Sequence, residues 1–204
     1  MNQDFFTFFD LPRKLTVDTA QLEKSFYTLS RKLHPDRFAS KPIAEQEAAL
    51  AQSSLLNDAY RTLKDPILRT QYLLKLEGVE LEEQSKAATD AARASGEQKK
   101  QIVPPELLEE VFELNMQLQE MRAAKQMGED EPELRRDLLA AKDSFDAKMT
   151  ETQAELENLW ARWDAAVDSG DEADKSAAKD AMIALLNKRS YLRNLVRDVN
   201  DALE

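Results

Sequence analysis

The tripeptide His34-Pro35-Asp36 combines residue types that suit a specific contact with another molecule. His34 is the one histidine among 204 residues. Pro35 fixes the backbone direction, and Asp36 carries a carboxylate that accepts hydrogen bonds and suits an arginine of a partner. The tripeptide directly follows a helical pattern, so we expect it to form a rigid loop on the protein surface.

Catalysis by His34 is not expected. No serine, cysteine or aspartate partner is predicted beside it in the arrangement of a catalytic triad. The alternative to a docking role is an ordinary histidine at a helix end, where the helix dipole favours it. No catalytic residue is predicted, and we expect a protein that is not an enzyme.

Two predicted helices position this tripeptide. The first spans residues 18–33, with Asp18 as its N-cap and Pro35 marking its end. The second begins near Ala44 and ends at Asp65-Pro66, because proline suits a helix start better than a helix interior. Both carry an apolar face, so we expect an antiparallel pair, followed by a short helix. The apolar positions are Leu22, Phe26, Leu29 and Leu33 in the first helix, and Leu56, Ala59, Tyr60 and Leu63 in the second.

The C-terminal half shows three amphipathic helical segments, which are separated by breaks at Gly128–Pro132 and at Gly170-Asp171. Three such helices bury their apolar stripes best as an antiparallel bundle. The residues before them are poor in large apolar side chains and are predicted to be a connector. The expected organisation is a helical domain at 1–77, a connector at 78–104 and a three-helix domain at 105–204.

Composition agrees with an all-α fold, since the 204 residues include only 4 Gly and 7 Pro and no sustained alternation typical of strands. The chain has no cysteine and one histidine. It therefore lacks the ligands for a Cys/His zinc site or for an iron–sulfur cluster bound in the usual way. We expect no metal and no cofactor.

The net charge of −11 argues against nucleic acid as a partner. Residues 1–76 contain 11 Lys and Arg against 9 Asp and Glu, whereas the remainder contains 17 against 30. This asymmetry indicates two parts with different partners; the alternative is that each part simply has a solvated surface. No apolar run has the length of a transmembrane helix, and Met1–Pro12 lacks the features of a signal peptide, so we expect a cytoplasmic protein without a membrane partner.

Residues 1–77 resemble a J-domain, the module that activates DnaK-class chaperones. The resemblance rests on Phe5 to Leu11, Leu22, Phe26, Tyr27, Leu29, His34-Pro35-Asp36, Asn57, Ala59, Tyr60, Leu63, Asp65-Pro66 and Arg69. A narrower similarity is to the HscB co-chaperone family of iron–sulfur cluster biogenesis. It rests on Asp4 to Pro12, His34 to Phe38, Arg69 to Leu74 and Leu107 to Glu120. The cysteine-bearing N-terminal segment of eukaryotic relatives is missing here, so the resemblance implies a bacterial protein.

This resemblance implies that His34, Pro35 and Asp36 dock on a DnaK-class, HscA-like chaperone and trigger its ATP hydrolysis. Four basic residues on or beside the preceding helix would steer the loop toward an acidic surface of that chaperone. They are Lys24, Arg31, Lys32 and Arg37.

A second expected site lies on the helix at 105–125. Beyond a full core face, Leu108, Phe112 and Met116 form another apolar row, rotated by about 100° around the axis. The row is either additional core or an exposed binding patch. The resemblance implies the patch, which would contact an IscU-type scaffold protein with help from Glu113, Glu120 and the adjoining Tyr191. The chain departs from the family at Glu109, where methionine is common, and in its longer connector and middle helix.

The resemblance as a whole implies a co-chaperone that binds an IscU-type scaffold, delivers it to an HscA-like chaperone and stimulates the ATPase of that chaperone. Two alternatives stay open. One is a J-domain co-chaperone whose client is unrelated to iron–sulfur assembly. The other is a helical adaptor in which the His-Pro-Asp loop is inert.

Overall fold

The computed structural model describes residues 4–79 and 103–204, and every statement below concerns these ranges. Within them the secondary structure consists of helices, without a strand, so the all-α prediction is confirmed. The predicted connector falls mainly on residues 80–102, which lie outside the described residues. No helix in the described ranges is long and apolar enough to cross a membrane.

The N-terminal part consists of α1 (Phe5–Phe8), α2 (Thr19–Leu33), a 3₁₀ helix (Pro35–Phe38), α3 (Ile43–Lys64) and α4 (Pro66–Leu76). The helices α2 and α3 form the predicted pair. Between them, the rings of Phe26 and Tyr60 stack with centroids 4.2 Å apart.

Local capping explains where these helices begin. The Asp18 carboxylate accepts hydrogen bonds from the backbone N–H groups of Ala20 and Gln21 at the start of α2. Asp65 caps α4 in the same way, with acceptor distances of 2.8 and 2.9 Å, and Pro66 occupies the first helical position. Such caps satisfy backbone donors that the first helical turn leaves without partners.

The C-terminal part begins with a 3₁₀ helix (Pro105–Leu107) and continues with α5 (Leu108–Met127), α6 (Pro132–Ser169) and α7 (Glu172–Leu203). Gly128 ends α5 with φ of 73°, a left-handed conformation that residues with a side chain rarely adopt. The predicted three-helix bundle is therefore confirmed, with its breaks at the expected positions.

The described residues group into two compact units. The first unit contains residues 4–79 together with 160–179, and the second contains 103–159 and 180–204. The sequence prediction placed 160–179 in the C-terminal domain at 105–204, whereas the compact units group these residues with 4–79; the domain boundaries themselves stay a prediction. The physical reason is a set of buried contacts between residues 160–179 and the N-terminal part, which is described below.

Each unit has its own apolar core. The fully buried side chains of the first unit include Phe6, Leu15, Leu22, Leu56, Leu63, Leu73, Leu74 and Trp163. The core of the second unit joins the inner faces of its three helices. It includes Leu107, Val111, Leu114, Leu118, Met121, Leu138, Phe145, Leu192, Leu195 and Val199. The inner face of α5 is thus the core face that the sequence predicted.

Candidate functional site

The His-Pro-Asp loop (residues 34–36) joins the end of α2 to the 3₁₀ helix and lies on the protein surface. The side chain of His34 is 55% exposed and that of Asp36 is 88% exposed. Pro35 occupies the first position of the 3₁₀ helix, where its missing N–H costs nothing. The loop therefore presents an imidazole and a carboxylate to solvent, as the sequence predicted.

Two hydrogen bonds define the loop geometry. His34 Nδ1 accepts from the backbone N–H of Asp36 at 3.3 Å, so the histidine side chain caps the 3₁₀ helix. In this arrangement the neutral imidazole carries its proton on Nε2. Arg37 Nη1 donates to the carbonyl oxygen of Arg31 at 3.1 Å and connects the loop to the last turn of α2. The backbone of the loop is thereby held while the Asp36 carboxylate stays available.

The four predicted steering residues are all exposed, and they lie along α2 and the 3₁₀ helix: Lys24, Arg31, Lys32 and Arg37. Three of them flank the loop within a few residues. Lys24 and Arg31 are seven residues apart and share one face of α2, about 10 Å apart along the helix axis. The four charges therefore form a basic strip that leads to the His-Pro-Asp loop.

The apolar row of Leu108, Phe112 and Met116 is exposed. The three residues are 55%, 69% and 58% accessible, respectively. The core of the second unit uses the neighbouring face of α5 instead, so the row is additional to the core and not part of it. Of the two interpretations that the sequence left open, the structure supports an exposed apolar surface.

The acidic residues of α5 frame this row. Glu120 follows Met116 at the same spacing of four and extends the row by one helical turn. Glu113 and Glu109 are four residues apart and form an adjacent row. All three glutamates are exposed. The face of α5 is therefore apolar in its centre and negative at its edge.

Tyr191 does not share this exposure. It is 7% accessible and belongs to the buried core of the second unit. Burial, with a smaller effect of Asp198, raises the pKa of its hydroxyl. The sequence expected an aromatic residue beside a binding patch, whereas the structure leaves almost none of this side chain for a partner. Its helical position fits the core because Leu195, four residues later on the same face of α7, is also buried there.

A second group of residues was missed by the sequence analysis. Leu15 lies between α1 and α2 and is fully buried, and both of its backbone polar groups bind charged side chains that come from helices. Its N–H donates to Asp164 Oδ1 at 2.7 Å, and its carbonyl accepts from Arg69 Nε at 2.9 Å. Asp164 Oδ2 also accepts from the N–H of Thr16 at 2.8 Å. We call Leu15, Thr16, Arg69 and Asp164 the Leu15 clamp.

Asp164, the member of the clamp on α6, belongs to a row of residues that are spaced four positions apart along this helix. Trp160 lies one turn before Asp164, and the Arg69 guanidinium is 6.0 Å from its ring centroid. Asp168 lies one turn after Asp164 and forms an ion pair with Lys14. The spacing of Trp160, Asp164 and Asp168 is visible in the sequence. A search for apolar periodicity does not find this row, because its partners are the backbone of a loop and two cationic side chains.

Arg69 is the most deeply placed cation of the clamp. It is 5% exposed, and its Nη1 also donates to the carbonyl of Leu63 at 2.6 Å. Burial lowers the pKa of the guanidinium, and the carboxylates of Asp65 and Asp164 partly oppose this effect. Arginine stays protonated at neutral pH, so the clamp holds a buried positive charge between backbone carbonyls.

Comparison with known proteins agrees with this geometry. Residues 4–72 match the family model described as the DnaJ domain. The solved chaperone HscB from Vibrio cholerae is 28% identical, with 99% of this chain and 100% of that chain covered and a TM-score of 0.58. Human co-chaperone protein HscB is 25% identical, with 98% and 81% covered and a TM-score of 0.61.

Residues 4–72 form a DnaJ domain, and the chain is similar to HscB chaperones over almost its whole length. The recognition made from sequence motifs is therefore confirmed, and the His-Pro-Asp loop lies within the matched J-domain. The similarity extends over almost the whole chain, so it includes α5 with the apolar row. In addition, the J-domain of this protein shares its compact unit with residues 160–179, to which the Leu15 clamp connects it.

Proposed function

We propose that this protein is a co-chaperone of iron–sulfur cluster assembly. It binds an IscU-type scaffold protein through α5 and delivers it to a DnaK-class, HscA-like chaperone, whose ATPase it stimulates through the J-domain. The observation that carries the proposal is the exposure of the His-Pro-Asp loop on a J-domain whose chain also bears an exposed apolar row. Two binding sites with different chemistry suit a protein that brings two partners together.

The chaperone contact is electrostatic. The Asp36 carboxylate is free to pair with an arginine of the chaperone, and such charge-assisted pairs are strong and directional. The basic strip on α2 attracts an acidic surface and speeds the encounter, although the whole chain carries a charge of −11. ATP hydrolysis takes place on the chaperone, and the role of this loop is to favour the chaperone conformation that hydrolyses ATP.

The scaffold contact is mainly apolar. Burying one large aliphatic or aromatic side chain contributes about 1.5–3 kcal/mol, so the three residues of the apolar row are suited to act as the main anchors of a partner. The glutamates at the edge of the row favour a scaffold surface with lysine or arginine around an apolar centre. The iron–sulfur cluster remains cargo of the scaffold, since this chain has no thiolate to bind it.

Binding both partners on one chain raises their effective concentration near each other. The scaffold is thereby presented to the chaperone without a separate diffusional encounter. We expect stimulation of the chaperone ATPase by this protein and the scaffold together to exceed the sum of their separate effects.

The test is a steady-state ATPase assay with purified HscA-like chaperone, to which this protein, an IscU-type scaffold or both are added. Stimulation above additivity, together with direct binding of the scaffold by calorimetry, is the expected result. Stimulation without scaffold binding would point to an unrelated client. Scaffold binding without any stimulation would point to an adaptor with an inert loop.

A further inference from the structure

Residues 39–42 join the 3₁₀ helix to α3, and we call this segment the α3 turn. Backbone hydrogen bonds connect it to the His-Pro-Asp loop. The N–H of Ala39 donates to the carbonyl of Asp36 at 3.4 Å, and the N–H of Lys41 donates to the carbonyl of Phe38 at 2.8 Å. The position of Asp36 therefore depends on where the α3 turn lies.

The side chain of Gln46 holds the α3 turn. Its Nε2 donates to the carbonyl of Lys41 at 2.8 Å and to the carbonyl of Ala39 at 3.3 Å. Both partners are acceptors, so the amide nitrogen and not the amide oxygen must face them, and its two N–H groups serve both carbonyls. Gln46 is the fourth residue of α3, which contacts α2 and the 3₁₀ helix. The α3 turn is thus fixed to a helix of the J-domain.

Apolar packing does little to order this part of the surface, because none of residues 34–42 is buried. Instead, one side chain acts at each end. Arg37 binds the last turn of α2 through the carbonyl of Arg31, and Gln46 binds the α3 turn. Segments with few buried contacts open at a low cost in free energy, so these bonds decide how far the segment is ordered. A segment that is ordered beforehand loses less conformational entropy when a partner docks.

We propose that Gln46 is a positioning residue for stimulation of the chaperone ATPase. Its carboxamide fixes the α3 turn and thereby the direction in which the Asp36 carboxylate projects, so that more of the bound complexes have a productive geometry. Gln46 acts through the α3 turn and supplies no contact to the chaperone. This inference rests on the proposed function, because it assigns a further residue to the same chaperone contact.

Two substitutions of Gln46 separate hydrogen bonding from the other properties of the side chain. Gln46→Met keeps an unbranched, uncharged side chain with a high helix propensity but removes both donors. Gln46→Lys restores N–H donors on a stem that is long enough to reach the same carbonyls. The matched control is Gln52→Met, because Gln52 is exposed on the same helix and its side chain forms no hydrogen bond within the described ranges.

The first measurement is the ATPase rate of a purified HscA-like chaperone at increasing concentrations of the full chain, which separates the maximal stimulation from the half-maximal concentration. For Gln46→Met the maximal stimulation should fall by about threefold, which corresponds to about 0.6 kcal/mol and is typical of one exposed hydrogen bond. Gln46→Lys should recover most of this loss, and Gln52→Met should match the wild type. The urea midpoint should stay the same in all variants, since the substituted side chains are exposed.

The second measurement follows the loop without the chaperone. His34 is the one histidine of the chain, so its imidazole gives a single pair of nitrogen NMR signals. The Nδ1 signal reports the hydrogen bond that this atom accepts from the Asp36 N–H. At mildly alkaline pH an ordinary imidazole is neutral, and there Gln46→Met should move the signal toward that of free imidazole. Gln46→Lys and Gln52→Met should leave it unchanged.

Four results would overturn the inference. The first is undiminished maximal stimulation by Gln46→Met. The second is reduced stimulation with an unchanged His34 signal, since Gln46 would then meet the chaperone directly. The third is an equal loss in Gln46→Met and Gln46→Lys, because hydrogen-bond donation would then be irrelevant. The fourth is a loss accompanied by a lower urea midpoint, which is what a merely structural role produces.

The same assay distinguishes failure of this inference from failure of the proposed function. A wild type that does not stimulate the chaperone overturns the proposed function and this inference with it. A wild type that stimulates, together with any of the four results above, overturns the role of Gln46 alone.

Discussion

The side chain of His34 caps the backbone of Asp36: its Nδ1 accepts the Asp36 N–H at 3.3 Å, and the Asp36 carboxylate lies 3.5 Å from the same nitrogen. The histidine thus orders the segment from which the aspartate projects into solvent. Within the loop, His34 orders the backbone, and in the proposed chaperone contact Asp36 supplies the charge.

The variants His34→Gln and Asp36→Asn should abolish stimulation of the chaperone ATPase, because the first alters the loop backbone and the second removes its charge. Both side chains are more than half exposed, so the free energy of unfolding should change by no more than about 1 kcal/mol. ATPase rates and urea unfolding followed by circular dichroism check the two statements. The matched control is Asp58→Asn, an exposed carboxylate on α3. Retained stimulation in both loop variants would contradict a role of this loop.

The double variant Leu108→Ala with Phe112→Ala should weaken binding to the scaffold by at least about tenfold, since each side chain contributes apolar area and 1.4 kcal/mol corresponds to one factor of ten. Stimulation of the chaperone without scaffold should persist. The stability of the second unit should also persist, because both residues are exposed and alanine favours helices. Calorimetry gives the affinity, and Met127→Ala, an exposed residue at the end of the same helix, is the control. An unchanged affinity of the double variant would separate the apolar row from scaffold binding.

Association with the chaperone should slow as salt increases from about 0.05 M to about 0.5 M, because the screening length then falls well below 10 Å. The basic strip of exposed residues on α2 and the 3₁₀ helix provides the attraction. Stopped-flow association rates test this, and the double variant Lys24→Gln with Lys32→Gln should show a flatter dependence. A rate that is independent of salt in the wild type would exclude electrostatic steering.

Alkaline pH should destabilise the second unit through Tyr191. Burial raises the pKa of its hydroxyl above the ordinary value of 10.0 in the folded state. The stabilisation that the neutral hydroxyl contributes is fully present below pH 10.0. It is lost as the pH rises from 10.0 through the pKa of the folded state, because the hydroxyl of the unfolded chain loses its proton first. The slope is at most about 1.4 kcal/mol per pH unit.

Tyr191→Phe removes this proton and should make the free energy of unfolding fall less steeply above pH 10.0 than in the wild type. Urea titrations at several alkaline pH values measure the difference. Burial also raises the pKa of Tyr72, which is present in both proteins, so the comparison isolates Tyr191. Identical pH slopes in the two proteins would show that the hydroxyl ionises equally in the folded and unfolded states.

Helix boundaries were predictable because their causes are local. Asp18, the Asp65-Pro66 pair and Gly170 act through the few residues that follow or precede them, and the structure places helix ends at these positions. The His-Pro-Asp loop was predictable for the same reason. Its exposure follows from a proline that ends one helix and starts the next turn.

Whether a side chain on a helix face is buried or exposed depends on tertiary packing and was harder to predict. Leu108 and Leu107 are adjacent and chemically identical, yet only Leu107 is buried in the core. Tyr191 was expected near a binding surface and lies in the core instead. The Leu15 clamp joins residues that are 149 positions apart, and no local pattern indicates that Asp164 binds the backbone of Leu15.

The glutamates that frame the apolar row have a consequence for the isolated protein. Without these charges, three exposed apolar side chains on one helix face would favour association of two molecules of this protein through that face. Glu109, Glu113 and Glu120 would then be brought against their own equivalents, and like charges at short range repel. A partner surface with lysine around its edge is instead attracted by the same glutamates. The acidic border therefore disfavours self-association and leaves the apolar row available to the proposed scaffold.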